Sequence, residues 1–375
     1  MTRRGPSEGS IYKRSDGRWV AVLHLGYEGG HRKRKSLYGG SRREVQEKLS
    51  LSLRAQREGL PPTNDRLTLA QFLTRWLDTV RPSVRPSTYR SYSLTVRLHL
   101  VPQLGRVHLA KLSAQQVQSH LNDRLATGLS PRTVGIIHAV LRQALNRGVR
   151  WGDVPRNVAT LVDPPRYHRA EVRPMTPEQA RAFLDAAHGQ RLEALYAVAL
   201  ALGLRQGEAL ALRWADLDLD AGFVTVRAGL QRVAGKLVLV EPKTPKSRRT
   251  IAAPPIVVAA LRAHRSRQLQ DRLAAGTAWQ DFDFVFCTQT GGPLDSRNVT
   301  RDFQRSLAKA GLPHMRFHDL RHSCASLLLA QGVHPRVVME TLGHSQIALT
   351  LNTYSHVIPT LQREAADRME AALSV

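Results

Sequence analysis

The spacing of apolar residues changes twice along this chain, and each change marks a different kind of unit. At the start, apolar and polar positions alternate, as on half-buried strands. Ser10–Lys13 and Arg18–Leu25 read as two strands joined by a turn at Ser15-Asp16-Gly17, with Trp19, Ala21, Leu23 and Leu25 on one face. A turn at Glu28-Gly29-Gly30 leads into a third strand, His31–Tyr38, which Gly39-Gly40 breaks. Ser41 is placed to cap a helix reaching Glu58, and Gly59-Leu60-Pro61-Pro62 reads as a linker.

Beyond the linker the period becomes helical. Leu69, Phe72, Leu73, Trp76, Leu77 and Val80 recur as an amphipathic helix demands. Pro82 and Pro86 interrupt it, and Ser87 is the predicted cap of a second helix carrying Tyr92, Val96 and Leu98. Ser113 opens a third helix, and Ser130-Pro131 a fourth that runs to Val149, with Pro131 in the first turn where proline is tolerated. Asp163-Pro164-Pro165 closes this stretch.

The remainder mixes both periods. Thr176-Pro177-Glu178 starts a helix, and Leu192–Leu202 is an almost unbroken apolar run that predicts a buried one. Gly222–Ala228, Lys236–Glu241 and Arg248–Ala252 alternate like three antiparallel strands. Helices resume near Pro255, Asn298, Phe317 and Pro335. Thr360–Leu373 carries an apolar stripe of Leu361, Ala365, Met369, Ala372 and Leu373, suited to docking on a neighbouring protomer. The pattern therefore predicts a multidomain chain: a small α+β unit (three-stranded sheet plus helix) over residues 1–62, an all-α domain over 63–165, and a mainly α domain with a small antiparallel sheet over 170–375.

Charge then narrows the partner. The 375 residues carry a formal charge of +25, which calls for a densely anionic partner; duplex DNA offers about one charge per 1.7 Å of axis. Arginine outnumbers lysine, which suits bidentate phosphate binding and also follows from a GC-rich genome. The two cysteines, Cys287 and Cys324, have neither metal-ligand spacing nor a disulfide framework, as expected of a reducing cytoplasm. No apolar signal region follows the start, and no run of about 18 apolar residues spans a membrane. The reading is a cytoplasmic protein without a membrane partner.

Candidate chemistry is concentrated in the last domain. Arg205 and Glu208 stand in Gly203-Leu204-Arg205-Gln206-Gly207-Glu208, Lys243 in Pro242-Lys243-Thr244, and His318 and Arg321 in His318-Asp319-Leu320-Arg321-His322. His344 follows Leu342-Gly343, and Tyr354 follows later. Arginine and histidine can hold a phosphate, lysine can protonate a leaving oxygen, and a tyrosine phenol can attack once its proton is removed. Arg205 at the end of a buried helix needs a partner, either a phosphate or Glu208 in a plain ion pair. His318 and Arg321, three apart, share a helix face, and a helix start beside them offers backbone N–H groups to an anion. His322 is expected to face elsewhere in a structural role. Lys243 sits at a turn between two strands, where a solvated basic loop is the bland alternative. Arg248 and Arg249 are expected to touch DNA backbone or solvent, and Arg32, Lys33, Arg34 and Lys35 make the third strand a DNA-gripping surface. No convergent carboxylates offer a metal site, so neither metal nor cofactor is expected.

In this order and spacing the boxes resemble the tyrosine recombinase (phage-type integrase) family, over residues 66–360. The helical middle is similar to that family's core-binding domain, and the strand-rich start to its arm-binding domain. The resemblance implies a site-specific recombinase in which four protomers bridge two duplex DNA attachment sites, with DNA-bending and excisionase proteins as candidate accessory partners. It implies Tyr354 as nucleophile, Arg205, Arg321 and His344 as phosphate ligands, His318 as base, Lys243 as general acid and Glu208 as a buttress. Two other readings use the same features. A type IB topoisomerase would relax supercoils on DNA lacking any special site, and an idle DNA-binding regulator would form no covalent adduct.

Overall fold

The computed structural model describes residues 9–28, 31–57, 66–167, 173–233, 235–241, 248–343, 366–367 and 369–374, without the side chains of 25–28, 31–33, 51 and 54–57. The chain divides into two compact units, residues 1–169 and 170–375.

The first unit opens with the predicted meander. Strands β1 (Ser10–Lys13), β2 (Trp19–Glu28) and β3 (His31–Gly39) form one antiparallel sheet in sequence order. The first turn closes because Gly17 takes φ +82° and the Asp16 carboxylate accepts from the Arg18 amide at 3.1 Å. Ser41 caps α1 (Arg42–Arg57) by accepting from the Glu44 amide at 3.2 Å. Val45 and Leu49, four apart on α1, bury against Ala21, Leu23 and Leu37 of the sheet. Arg34 is exposed and Lys35 half-buried; the side chains of Arg32 and Lys33 lie outside the described residues.

The helical part of this unit has its own core. Helix α2 (Leu69–Val80) starts in a capping box, the Thr68 hydroxyl accepting from the Gln71 amide and the Gln71 side chain from the Thr68 amide. Such a cap is worth about 1 kcal/mol. The predicted stripe Leu69, Phe72, Leu73, Trp76 and Val80 is buried. Trp76 packs on Tyr92, whose hydroxyl reaches Gln143 at 2.8 Å. Helix α3 (Pro86–Thr95) begins two residues earlier than predicted: Arg85, not a side-chain cap at Ser87, holds the N-cap position, because the fixed φ of Pro86 already suits the first turn. A π-turn, Val96–Leu100, follows directly. It keeps Val96 and Leu100 inside and leaves Leu98, expected on the helix's apolar face, 52% exposed. After the short α4 (Val101–Leu104) come α5 (Ala114–Ala126) and α6 (Pro131–Arg150), capped by Ser113 and Ser130 as predicted.

The second unit is helical around a small β component. Helices α7 (Pro177–Ala187), α8 (Glu193–Ala201) and the one-turn α9 (Gln206–Ala209) come first. All of α8 from Ala194 to Leu200 is buried, as the apolar run required. Tyr196 lies in an aromatic cluster with Phe183, Phe303 and Phe317. Strands β4 (Leu217–Asp218), β5 (Phe223–Val226) and β8 (Arg249–Ala252) form one sheet in the order β4-β5-β8. Strands β6 (Gly229–Val233) and β7 (Lys236–Val240) form a separate hairpin. The prediction of three mutually paired strands is corrected here. Lys236–Val240 has a nearer partner in Gly229–Val233, across a tight turn, so it never joins β8. Helices α10 (Pro255–Ala275), α11 (Ser296–Lys309), α12 (Asp319–Ala330) and α13 (Pro335–Leu342) complete the unit. Both α10 and α12 pack on α8, so the apolar run is the axis of the domain. Of the predicted tail helix, residues 366–367 and 369–373 are helical, with Met369 and Leu373 exposed. Among the described residues no helix is long and apolar enough to cross a membrane.

Candidate active site

The site begins where α8 ends. The chain turns through Gly203 at φ +61°, a conformation that side-chain-bearing residues rarely adopt. A Cβ there would collide with Leu342 and stand 3.2 Å from Cys324 Sγ. The tight turn leaves the Gly203 carbonyl pointing at α12, where Arg321 Nη1 donates to it at 2.9 Å from a position 118 residues away in the chain. Arg205 lies two residues past this carbonyl, and both it and Arg321 are near enough to His318 to lower its pKa. Gly203→Ala is expected to destabilise this unit by about 1–3 kcal/mol, the usual cost of overpacking. Urea denaturation of the variant against wild type checks it, with Gly235→Ala as control, since a Cβ at Gly235 meets nothing within 4 Å and carries the same positive-φ strain.

Arg321 is the buried member of the group, 2% exposed. Arg205 keeps 42% of its side chain accessible while Nη1 pairs with Glu208 Oε1 at 2.5 Å. Glu208 Oε2 accepts from the Arg205 amide at 3.1 Å, so one carboxylate fixes both the backbone and the guanidinium of Arg205. Glu208 therefore anchors the arginine at two points. Burial alone would raise the Glu208 carboxyl, but Arg249 and Arg205 outweigh it and hold the group below its ordinary value.

Arg249 differs from expectation. It was expected to meet DNA or solvent, yet its side chain is 7% exposed and bonds Glu208 Oε2 at 3.0 Å and the Thr341 carbonyl at 2.6 Å. The reason is strand alternation: Arg249 shares a face of β8 with buried Ile251, and a guanidinium turned inward must find anionic or carbonyl partners. Arg248 points the other way, 58% exposed, and pairs with Glu241 at 3.0 Å.

His318 occupies the N-cap position of α12 and is exposed at the surface beside the two arginines. Partial desolvation of its ring, then the charges of Arg321 and Arg205, lower its pKa, so the imidazole is neutral at pH 7 and able to accept a proton. His322, expected to face elsewhere, instead stands edge-to-face against His318, ring centroids 5.0 Å apart. Four residues along a helix is one turn, and the shared face brings the rings together. Burial, then the neighbouring His318, pushes His322 down to about 4, so it too is uncharged. The expected cradle of free backbone donors at the helix start is not present. The amides of Asp319, Leu320 and Arg321 donate to the carbonyls of Arg316, Phe317 and His318, because the chain enters α12 through tight i→i+3 turns. Anion binding here rests on side chains.

Lys243, His344 and Tyr354 lie outside the described residues. What stands next to them is described. The Arg248–Glu241 ion pair flanks residues 242–247, which link the β6–β7 hairpin to the β4-β5-β8 sheet rather than joining paired strands. Gly343, at φ +67°, ends α13 immediately before His344. Among the described residues no group of three or more His, Cys, Asp or Glu is arranged to hold a metal ion. Sequence reasoning missed Arg249 and His322 as neighbours of the site. The signals were present in the strand parity of Arg249 with Ile251 and the helical spacing of His318 and His322.

Two guanidiniums, one buried and one accessible, beside a neutral imidazole have the chemistry to hold an oxyanion. The sequence profile described as the phage integrase family matches residues 173–360, and that of the phage integrase N-terminal SAM-like domain matches residues 68–124. The XerC-like tyrosine recombinase of Caldanaerobacter subterraneus is 31% identical over 362 residues, covering 91% of this chain and 93% of its own. An integrase of Streptomyces ambofaciens is 32% identical over 381 residues, covering 97% of this chain and 96% of its own. In fold, the chain is similar to the Tn1549 transposon integrase, solved in complex with a circular-intermediate DNA, with TM-score 0.68 at 22% identity over 81% of this chain and 99% of that one. It is also similar to lambda integrase bound to a core site, with TM-score 0.58 at 17% identity over 94% of this chain and 96% of that one. The chain belongs to the phage integrase family of tyrosine recombinases. It is an enzyme that cleaves and rejoins DNA.

Proposed function

We propose that the protein integrates and excises a mobile element at specific attachment sites through a 3′-phosphotyrosyl intermediate, with Tyr354 as the nucleophile. The observation that carries this is the convergence of Arg205, Arg321 and a neutral His318 across the Gly203 turn. In this scheme the two arginines hold the non-bridging oxygens and stabilise the charge that builds up as phosphorus becomes five-coordinate. His344 adds a hydrogen bond. His318 takes the phenolic proton as Tyr354 attacks in line, and Lys243 protonates the departing 5′-oxygen. The ester conserves the bond energy, so a 5′-hydroxyl of the partner strand can reverse the step without ATP.

The assignment of domains follows the same scheme. Residues 1–62 serve as the arm-type DNA-binding domain, with Arg32, Lys33, Arg34 and Lys35 in contact with DNA. Residues 63–165 serve as the core-binding domain and residues 170–375 as the catalytic domain. Four protomers assemble on paired sites in the bacterial cytoplasm, with DNA-bending and excisionase proteins as candidate accessory partners. Lambda integrase has been solved as a tetramer on a Holliday junction, and the exposed Met369 and Leu373 of the tail suit docking between protomers.

Because arginines supply the positive charge, covalent adduct formation on a nicked half-site is expected to proceed in excess EDTA at a rate close to that in Mg²⁺. Denaturing gel electrophoresis of the protein–DNA adduct reads this directly. Strict dependence on a divalent cation would overturn the mechanism.

A further inference from the structure

We propose that Arg249 is a positioning residue which, from one buried guanidinium, sets both the aim of Arg205 and the end of α13. The inference rests on the recombinase reading above. Arg249 opens β8, paired in register with Val226 of β5, and the sheet fixes its backbone. Its Nη2 holds Glu208 Oε2 at 3.0 Å, and the other carboxylate oxygen holds Arg205 Nη1 at 2.5 Å. Glu208 is thus shared between one guanidinium facing inward and one with its end toward solvent. On its other edge, Arg249 Nε donates at 2.6 Å to the carbonyl of Thr341. That carbonyl lies in the last turn of α13, where helix acceptors have no partner within the helix.

Gly343 makes the arrangement possible. A Cβ there would approach Arg249 Nη1 to 2.9 Å. The left-handed glycine that stops α13 therefore also leaves space for the guanidinium, and the next residue is His344. Three parts of the site that are distant in sequence converge on one side chain: the Arg205–Glu208 turn, the start of β8, and the helix end that leads to His344. The fork geometry matters. A guanidinium can serve a carboxylate with one edge and a carbonyl with the other, whereas a lysine ammonium cannot span both from the same backbone position. Without Arg249, Glu208 keeps Arg205 as its remaining cation, the pair is free to reorient, and α13 loses its tether. The effect falls on the phosphate and not on the DNA-binding surface, because Arg249 is almost wholly enclosed.

The test measures single-turnover adduct formation on a nicked half-site at saturating protein, together with DNA affinity and thermal melting. It uses the full chain carrying Arg249→Met, Arg249→Lys, Arg205→Lys and the double variant Arg249→Met/Arg205→Lys. Arg249→Met should slow cleavage by roughly 10²-fold, the scale on which a misplaced catalytic group acts, with DNA affinity retained. Arg249→Lys should fall between it and wild type. The double variant should lose less than the product of the two single penalties, because part of the effect of Arg249 passes through Arg205 and the rest through the end of α13. Penalties that multiply in the double variant overturn the role, as does full activity of Arg249→Met. Should Arg249→Met fail to fold, the lysine variant decides. A wild-type rate overturns the role, and a slowed rate with unchanged melting temperature and DNA affinity supports it. If the wild type itself forms no adduct, the recombinase reading falls and the role falls with it.

Discussion

Tyr354→Phe is expected to abolish covalent cleavage while leaving DNA binding nearly intact. The substitution removes one oxygen. If that oxygen is the attacking atom, no other group of the site can replace it, and the rate should fall by more than about 10⁴-fold, as when an attacking residue is deleted elsewhere. Binding depends on a large basic surface in a chain of net charge +25, to which one phenol contributes little. A nicked half-site should trap an adduct with wild type and none with the variant, and peptide mapping should place the DNA on Tyr354. The structure already disqualifies one competitor. Tyr196 is fully buried, its hydroxyl donates to Asp302 at 2.8 Å, and burial pushes its pKa far up. Tyr167 is 54% exposed, so an adduct mapped to it is the physically accessible result that would sink the assignment.

Lys243→Ala and Arg321→Ala should both slow cleavage strongly, yet respond in opposite ways to one change in the substrate. Loss of a general acid is worth about 10²–10⁴-fold. Replacing the bridging 5′-oxygen with sulfur makes a leaving group that departs as a thiolate, since a thiol has a pKa of about 8.5. The lysine variant should recover most of its rate on that DNA. Arg321→Ala should not if, as proposed, its guanidinium stabilises charge on the non-bridging oxygens, which the sulfur leaves unchanged; deleting such a donor costs about 10²–10³-fold. Its loss has a second consequence visible in this fold. The Gly203 carbonyl loses a donor, and the turn that carries Arg205 loosens. Arg321→Lys should therefore stay impaired on both substrates. Equal rescue of the lysine and arginine variants would move the general-acid role to another residue.

Local patterns carried the element map well wherever a single segment decided its own structure. The stripe of α2, the caps at Ser41, Ser113, Ser130 and Thr176, and the buried run of α8 all depend on neighbours within a few residues. Errors arose where partners had to be chosen. Alternation in Lys236–Val240 announced a strand but not its mate, and a short hairpin to β6 took precedence over pairing with β8. Likewise, Ser87 has the residue type of a cap, but the preceding proline occupies the first turn and the cap falls at Arg85.

The same division applies to the site. By itself the sequence determined the chemistry on offer: arginines, histidines, a lysine and a late tyrosine, in an order that marks a tyrosine recombinase, on a chain basic enough to seek DNA. That much follows because residue type and spacing are local facts. Tertiary structure decided which of those groups meet. It placed the Gly203 carbonyl against Arg321, turned Arg249 inward onto Glu208 and Thr341, and used the first amides of α12 within the backbone. Each of these is a contact between segments far apart in the chain, or a choice among donors and acceptors that burial forces. A buried charge or carbonyl must be satisfied by whatever the fold brings within reach, and a linear pattern does not contain that distance.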